Sequence, residues 1–264
     1  MTDDGETFGD WLAALHASHD RLTEVVTPLS ATQVEAPSYP TEWSIAQVLS
    51  HLGSGAEIFS LMLEAGLANR PAPESEAFQQ IWAAWDAKSA ADQAADGLRA
   101  DADFLDRLDG LDADQVRNWQ MEMFGGDQRL PDLLRFRLGE HAVHTWDIEV
   151  AGEPAATIAQ PSVELLIDNL DQLVARSGRP PADPLRVHVE TAEPIRVFRL
   201  HSTSDGVLLE VHGIETPADD NAALRLPAEA FIRLVYGRLD PLHTPPLATD
   251  GVDLDGLRAT FPGF

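Results

Sequence analysis

The sequence predicts an α plus α+β architecture, in which a bundle of four long helices precedes a small α+β domain. Three observations support this prediction. Apolar residues recur at helical spacing over long segments of the first part. The Ala-Gly-Glu-Pro run at residues 151–154 then interrupts the pattern. Beyond it, short runs alternate apolar and polar residues, as β-strands do. We therefore predict domains at residues 1–154 and 155–264.

The first domain contains four predicted helices joined by irregular segments. Ser44 is a suitable N-cap for the second helix, and Gln47 three residues later completes a capping box. Pro131 is suited to the first turn of the fourth helix. Residues 30–40 and 109–129 are rich in turn formers or lack periodicity, so we expect loops there. In order, the predicted helices cover residues 7–27, 44–68, 75–108 (in one piece or divided near Gly97) and 131–150.

The second domain mixes strands and helices. Ser204, Asp205 and Gly206 lie between two alternating runs and predict a hairpin turn. Pro227 is placed to begin a helix. The predicted strands cover residues 185–189, 195–200, 207–211 and 222–226, and the predicted helices cover residues 162–176, 227–236 and 254–261.

Charge and composition exclude several classes of function. The 264 residues include 44 acidic and 18 basic ones, giving a net charge of −26. Such a surface repels phosphate, so we expect neither nucleic acid nor a membrane as a partner. No segment approaches the roughly 20 apolar residues of a membrane span, and the N-terminus is acidic where a signal peptide is basic. We expect a cytoplasmic protein.

The chain contains no cysteine. Disulfides, cysteine-ligated zinc and a protein thiol nucleophile are therefore excluded. Any sulfur chemistry must use the thiol of a small molecule.

Two histidines and a glutamate form a candidate metal site. Glu140 and His144 are four residues apart, and on a helix such positions lie about 40° apart around the axis. His51 is the best third ligand because it lies in another apolar helical segment. This composition leaves an open coordination position, as in reactive zinc sites. The alternative is an ordinary helix-stabilising pair and a core histidine, but Glu140 would be costly to bury without a positive partner.

Two neighbouring residues compete for, or support, this site. His141 lies about 60° from His144 on the helical wheel and could replace it as a ligand. We prefer Glu140 with His144 because they lie closer to one direction. Asp147, three residues beyond His144, could orient a ligand imidazole, or could be an ordinary carboxylate at a helix end.

Three segments of the sequence resemble the mycothiol-dependent maleylpyruvate isomerase family. They are PTEWSIAQVLSHL at residues 40–52, EHAVHTWDI at residues 140–148 and LRATFPG at residues 257–263. The resemblance extends over nearly the whole chain. It implies a DinB-like four-helix domain that binds zinc, followed by an α+β domain similar to sterol-carrier proteins.

The resemblance also implies roles for individual residues. It makes His51, Glu140 and His144 the zinc ligands. Arg238 matches a Gly-Arg segment of the family and is implied to hold an anionic substrate or the thiol, with a surface arginine as the alternative. The implied cofactors are zinc, or another divalent metal, and mycothiol. The implied partners are this low-molecular-weight thiol and a small electrophile, which the enzyme would isomerise or join to the thiol.

Two other hypotheses remain open at this point. A zinc-bound hydroxide could make the protein a hydrolase. Alternatively, the chain could be a non-catalytic module that binds a metal and a small apolar ligand. Dependence of turnover on a thiol distinguishes the isomerase or transferase from the hydrolase. Unfolding on metal removal, without any effect of a thiol, favours the binding module.

Overall fold

Seven helices and a short hairpin form the first part of the chain, as far as the computed structural model describes it. The described residues are 4–123, 126–182, 184–212 and 222–263. Residue contacts divide the chain into two units, Met1–Ala156 and Thr157–Phe264. In order, the first unit contains α1 (Asp4–Val26), α2 (Ala31–Val34), α3 (Ile45–Leu67), α4 (Ser75–Asp86), α5 (Ala90–Asp109), α6 (Ala113–Asn118), β1 (Gln120–Met123), β2 (Gly126–Arg129) and α7 (Leu130–Glu149).

The helix that carries His51 begins at the predicted capping box. The Ser44 hydroxyl accepts a hydrogen bond from the Gln47 backbone N–H at 3.2 Å, and the Gln47 side chain accepts one from the Ser44 N–H at 2.9 Å. These bonds satisfy donors that a helix start otherwise leaves unpaired. Beyond the cap, Val48, Leu49 and Leu52 are buried in the core between the helices. The cap and this apolar face together fix the position of His51.

The predicted division near Gly97 is wrong. The chain breaks earlier, between α4 and α5, where Ser89 caps α5 by accepting a hydrogen bond from the Asp92 N–H at 3.2 Å. Gly97 lies inside α5, and a Cβ added there would be 2.7 Å from the carbonyl oxygen of Leu49. The glycine thus allows α3 and α5 to approach closely, and it does not end a helix.

Gly97→Ala is expected to lower the free energy of unfolding by about 1–3 kcal/mol, because the added methyl group forces α3 and α5 apart. Gly9→Ala is the matched control, since nothing lies within 4 Å of a Cβ added at that position in α1. It should gain roughly 0.5–1 kcal/mol from helix propensity. Urea unfolding of the full chain measures both changes, and equal effects of the two substitutions would contradict the packing argument.

Two segments predicted as loops contain regular structure. Residues 30–40 include α2, which begins with a second capping box formed by Ser30 and Gln33. Residues 109–129 include α6 and the antiparallel pair β1–β2, in which Gln120 pairs with Arg129. Phe124 and Gly125 lie outside the described residues. These elements are too short to give a clear periodic signal in the sequence.

A mixed sheet and short helices form the second unit. The sheet order is β5-β4-β3-β6-β7, with β3 and β6 parallel and the other neighbouring pairs antiparallel. The elements are α8 (Gln160–Leu166), a 3-10 helix (Ile167–Asn169), α9 (Asp171–Ser177), β3 (Arg186–Ala192), β4 (Arg196–Ser202), β5 (Val207–His212), β6 (Ala223–Pro227), α10 (Ala228–Val235), a 3-10 helix (Pro241–His243), β7 (Ala248–Asp250) and α11 (Leu254–Thr260).

The predicted fold class is confirmed, with two local corrections in this unit. The hairpin turn joins β4 to β5, and the Thr203 N–H donates to the Gly206 carbonyl at 2.8 Å. The single helix predicted at residues 162–176 is instead divided by the first 3-10 helix, and β7 was missed. No described helix is both long enough and apolar enough to cross a membrane.

Candidate metal centre

Helices α3 and α7 bring the three predicted metal ligands together. His51 extends from α3, and Glu140 and His144 extend from successive turns of α7. One ligand atom from each side chain lies within 4.8 Å of the others. His51 Nε2 is 3.1 Å from Glu140 Oε2, and His144 Nε2 is 3.7 Å from the same oxygen. Two imidazole nitrogens and a carboxylate oxygen therefore converge on one point.

The charge of Glu140 suits it to hold a cation. Burial by itself raises the pKa of this carboxyl group, but the hydrogen bond with His51 and the electrostatic effect of the nearby His144 lower it. The net effect lowers the pKa of Glu140 to about 2. The side chain is consequently an anion at neutral pH, with an oxygen available to a metal.

The cluster is partly accessible to solvent. The His144 side chain is 11% exposed, whereas the side chains of His51 and Glu140 are 35% and 44% exposed. A metal held by these three groups would be accessible to a small ligand. That accessibility separates the cluster from a closed structural metal site.

Asp147 fixes the orientation of His144. Its carboxylate is fully buried, and Oδ2 lies 2.8 Å from His144 Nδ1. With Nδ1 occupied in this way, Nε2 is the nitrogen that faces Glu140. A carboxylate behind a ligand imidazole holds the ring and increases its basicity.

Asp147→Asn is expected to weaken zinc binding by roughly 10–100-fold, because the neutral amide holds the imidazole less firmly and polarises it less. Zinc affinity measured by chelator competition tests this expectation. Asp103→Asn on the exposed face of α5 is the control and should bind zinc as the parent does. An Asp147→Asn variant that is folded and has parental zinc affinity would contradict the orienting role.

A second cluster lies in the core of the same helical unit. The carboxylate of Asp101 is 2.7 Å from His19 Nδ1, 2.9 Å from His141 Nε2 and 2.6 Å from Arg137 Nη2. Arg137 also donates to the Leu52 carbonyl at 3.1 Å. The cluster therefore connects α1, α3, α5 and α7.

This second cluster has the composition of a metal site, but the negative charge of its carboxylate is already balanced by an arginine. The Arg137 guanidinium is 1% exposed and supplies the positive charge that Asp101 requires. A metal ion would have to displace that ion pair. Ser18 Oγ lies 2.8 Å from His141 Nδ1, so Ser18, His141 and Asp101 follow the order of a hydrolytic triad. All three are buried, and no substrate can reach them.

His144 and His141, the two alternative metal ligands predicted on α7, thus lie in different clusters. His144 joins the accessible cluster, and His141 joins the buried one. Sequence reasoning missed the partners of His141, although one signal was available. Asp101 precedes the core residues Leu105 and Leu108 by four and seven positions, which places the acid on the buried face of α5.

Comparison with family models gives the assignment. Residues 15–149 match the mycothiol maleylpyruvate isomerase N-terminal domain, and residues 160–263 match the MDMPI C-terminal domain. The chain belongs to the mycothiol-dependent maleylpyruvate isomerase family. The resemblance seen in the sequence motifs is confirmed. No curated protein gives a significant match.

Two solved structures of mycothiol-dependent maleylpyruvate isomerase share the fold of this family member. One matches with a TM-score of 0.67 and 12% identity, over 96% of this chain and 98% of the other. A histidine-to-alanine mutant matches with a TM-score of 0.64 and 13% identity, over 90% of this chain and 92% of the other. At these identities the likeness shows a shared fold.

Arg238 is buried within the second unit of this family member. It is 8% exposed, and Nη1 donates to the Tyr236 carbonyl at 2.7 Å. The alternative of a surface arginine is therefore wrong. A role for Arg238 in holding an anionic group stays a prediction.

Proposed function

We propose that this protein is a zinc-dependent, mycothiol-using enzyme that activates the thiol for addition to a small electrophile. The reaction would be either an isomerisation like that of maleylpyruvate or the transfer of the thiol to the electrophile. One observation carries the proposal. An accessible cluster of two imidazoles and a carboxylate lies in a chain of this family that contains no cysteine.

The residues present fit a divalent metal such as zinc. His51, Glu140 and His144 offer two nitrogens and one oxygen, a donor set found in zinc enzymes with an open position. Glu140 is ionised at neutral pH, and Asp147 holds His144 with Nε2 toward the cluster. When bound, the metal would lower the pKa of a coordinating thiol and so provide a thiolate at neutral pH.

A thiolate would serve both possible reactions. In an isomerase it would add reversibly to a conjugated cis double bond and leave again in favour of the trans form, whereas in a transferase it would stay attached and the electrophile would take up a proton. His51, Glu140 and His144 would hold the metal that ionises the thiol, and Asp147 would orient His144.

Arg238 is proposed to contribute positive charge for an anionic group of the substrate or the thiol. A guanidinium is permanently charged and suits carboxylate recognition. Its bond to the Tyr236 carbonyl holds the side chain in a defined position. Binding titrations of Arg238→Ala with each ligand would show which one it holds.

The test begins with metal analysis of the purified chain, followed by titration calorimetry with mycothiol and a turnover assay with maleylpyruvate. We expect about one zinc per chain, mycothiol binding by the zinc form and not by the metal-free form, and turnover that requires the thiol. Hydrolytic turnover without a thiol would favour the hydrolase. Unfolding on chelation, with no response to the thiol, would favour the binding module.

A further inference from the structure

We infer that the indole of Trp43 forms one wall of the thiol-binding site and contacts the atoms of a thiol bound at the metal. This inference rests on the proposed function and names a residue that contacts the cofactor of that site.

Trp43 lies beside both histidines of the accessible cluster. Its ring centroid is 5.5 Å from that of His51 and 6.4 Å from that of His144. The indole and the His144 ring are nearly parallel, at an interplanar angle of 22°. A thiol held at this cluster would therefore have the indole on one side.

The indole is also available to a ligand. Trp43 is 38% exposed, whereas four of the six tryptophans, Trp11, Trp85, Trp119 and Trp146, are buried. No hydrogen bond joins its indole N–H to any residue in the described ranges, so the group can donate to a ligand oxygen. An indole that combines an apolar face with a free donor suits a ligand with both apolar and polar atoms.

The loop before α3 holds Trp43 in this position. The Trp43 carbonyl accepts bonds from the Ser38 N–H and hydroxyl, each at 2.9 Å. The Tyr39 N–H donates to the Asp147 carbonyl at 2.9 Å, which ties the loop to the helix that carries Glu140 and His144. These bonds fix the backbone that carries the indole before a ligand arrives, which reduces the entropy cost of binding.

A structural role alone does not account for this arrangement. An aromatic residue that serves the core is buried, but Trp43 leaves more than a third of its surface in solvent beside the metal ligands. The loop is held through backbone bonds of residues 37–44 that any side chain at position 43 can make. Replacing the indole should therefore change ligand binding more than folding.

The test compares the zinc-loaded full chain with Trp43→Ala and Trp43→Phe. Titration calorimetry with mycothiol, and separately with N-acetylcysteine as a simple thiol, gives the affinities. We expect Trp43→Ala to retain zinc and to bind the thiols about tenfold more weakly, with Trp43→Phe recovering part of the loss. Trp82→Ala is the matched control, because Trp82 is 46% exposed on α4, which carries none of the three ligands.

Tryptophan fluorescence provides a second readout that a structural role would not change. Thiol addition should alter the emission of the parent and of Trp82→Phe, but much less that of Trp43→Phe. Parental affinity of Trp43→Ala for both thiols would overturn the inference. A parent that binds N-acetylcysteine but not mycothiol would overturn the proposed cofactor. The Trp43 variants would then still test, with N-acetylcysteine, whether the indole contacts a bound thiol. A parent that binds neither thiol would overturn both.

Discussion

Asp101→Asn is expected to lower the free energy of unfolding of the helical unit by about 3–5 kcal/mol, the usual result of removing one partner of a buried ion pair. Asp101 and Arg137 are 2% and 1% exposed, and their charged atoms are 2.6 Å apart. The neutral amide leaves the guanidinium buried without its counter-charge. Since whole proteins unfold with only about 5–15 kcal/mol, this loss is large. Urea unfolding followed by circular dichroism measures it.

Two further variants test the cause. Asp103→Asn changes an exposed carboxyl on the same helix and should stay within about 0.5 kcal/mol of the parent. The double variant Asp101→Asn/Arg137→Met removes both charges and should recover part of the loss, because no buried charge is then left unpaired. If the double variant is no more stable than Asp101→Asn, the ion pair is not the source of the effect.

The difference in stability between the parent and Asp101→Asn should also depend on pH, because the Asp101 carboxyl group has a different pKa in the folded and unfolded chain. Burial opposes ionisation of Asp101, but the charges of His141 and Arg137, with the hydrogen bond from His19, hold its pKa well below the ordinary 3.8. A lowered pKa in the folded state stabilises the fold at pH values above the ordinary one. The contribution is lost as pH falls below 3.8 toward the folded value. Below pH 3.8 the parent and Asp101→Asn should therefore become more alike in stability.

The long helices and the pairing of Glu140 with His144 followed from local sequence patterns. A capping box at Ser44 and an apolar stripe are sufficient to predict α3, and spacing along one helix is sufficient to pair Glu140 with His144. The structure brings His51 Nε2 to within 3.1 Å of the Glu140 carboxylate, although the two residues are 89 positions apart in the sequence. That His51, Glu140 and His144 bind a metal stays a prediction.

The incorrect or missing predictions depend on contacts between distant segments. From the local sequence, Gly97 looked like a helix break. The glycine is explained by its close contact with Leu49, which lies 48 positions away in the sequence and therefore gives no local signal. Asp101 lies among other acids, and its partners are on α1 and α7. β7 is likewise a short strand whose three residues are all exposed, so it shows no alternating pattern, and only its pairing with β6 identifies it. Packing partners of this kind cannot be identified from one sequence by periodicity.

His144→Ala is expected to abolish stoichiometric zinc retention, because the cluster would keep only one nitrogen and one oxygen donor. Loss of a residue that merely supports a ligand costs roughly 10–100-fold in affinity, so loss of a ligand should exceed that range. Zinc content after dialysis and melting with and without zinc measure the effect. At a free zinc concentration 100-fold above the dissociation constant, binding stabilises the parent by about 2.7 kcal/mol. His144→Ala should lose this stabilisation.

His16→Ala is the matched control for the loss of an imidazole. The His16 side chain is 41% exposed and pairs with Asp109, away from the three ligands. This variant should keep zinc and the zinc-dependent rise in melting temperature. Because the metal-free forms of both variants are compared with the metal-free parent, an effect on folding is measured separately from an effect on binding. Retention of parental zinc affinity by a folded His144→Ala would show that the metal, if bound, is held elsewhere, and the proposed thiol chemistry would lose its site.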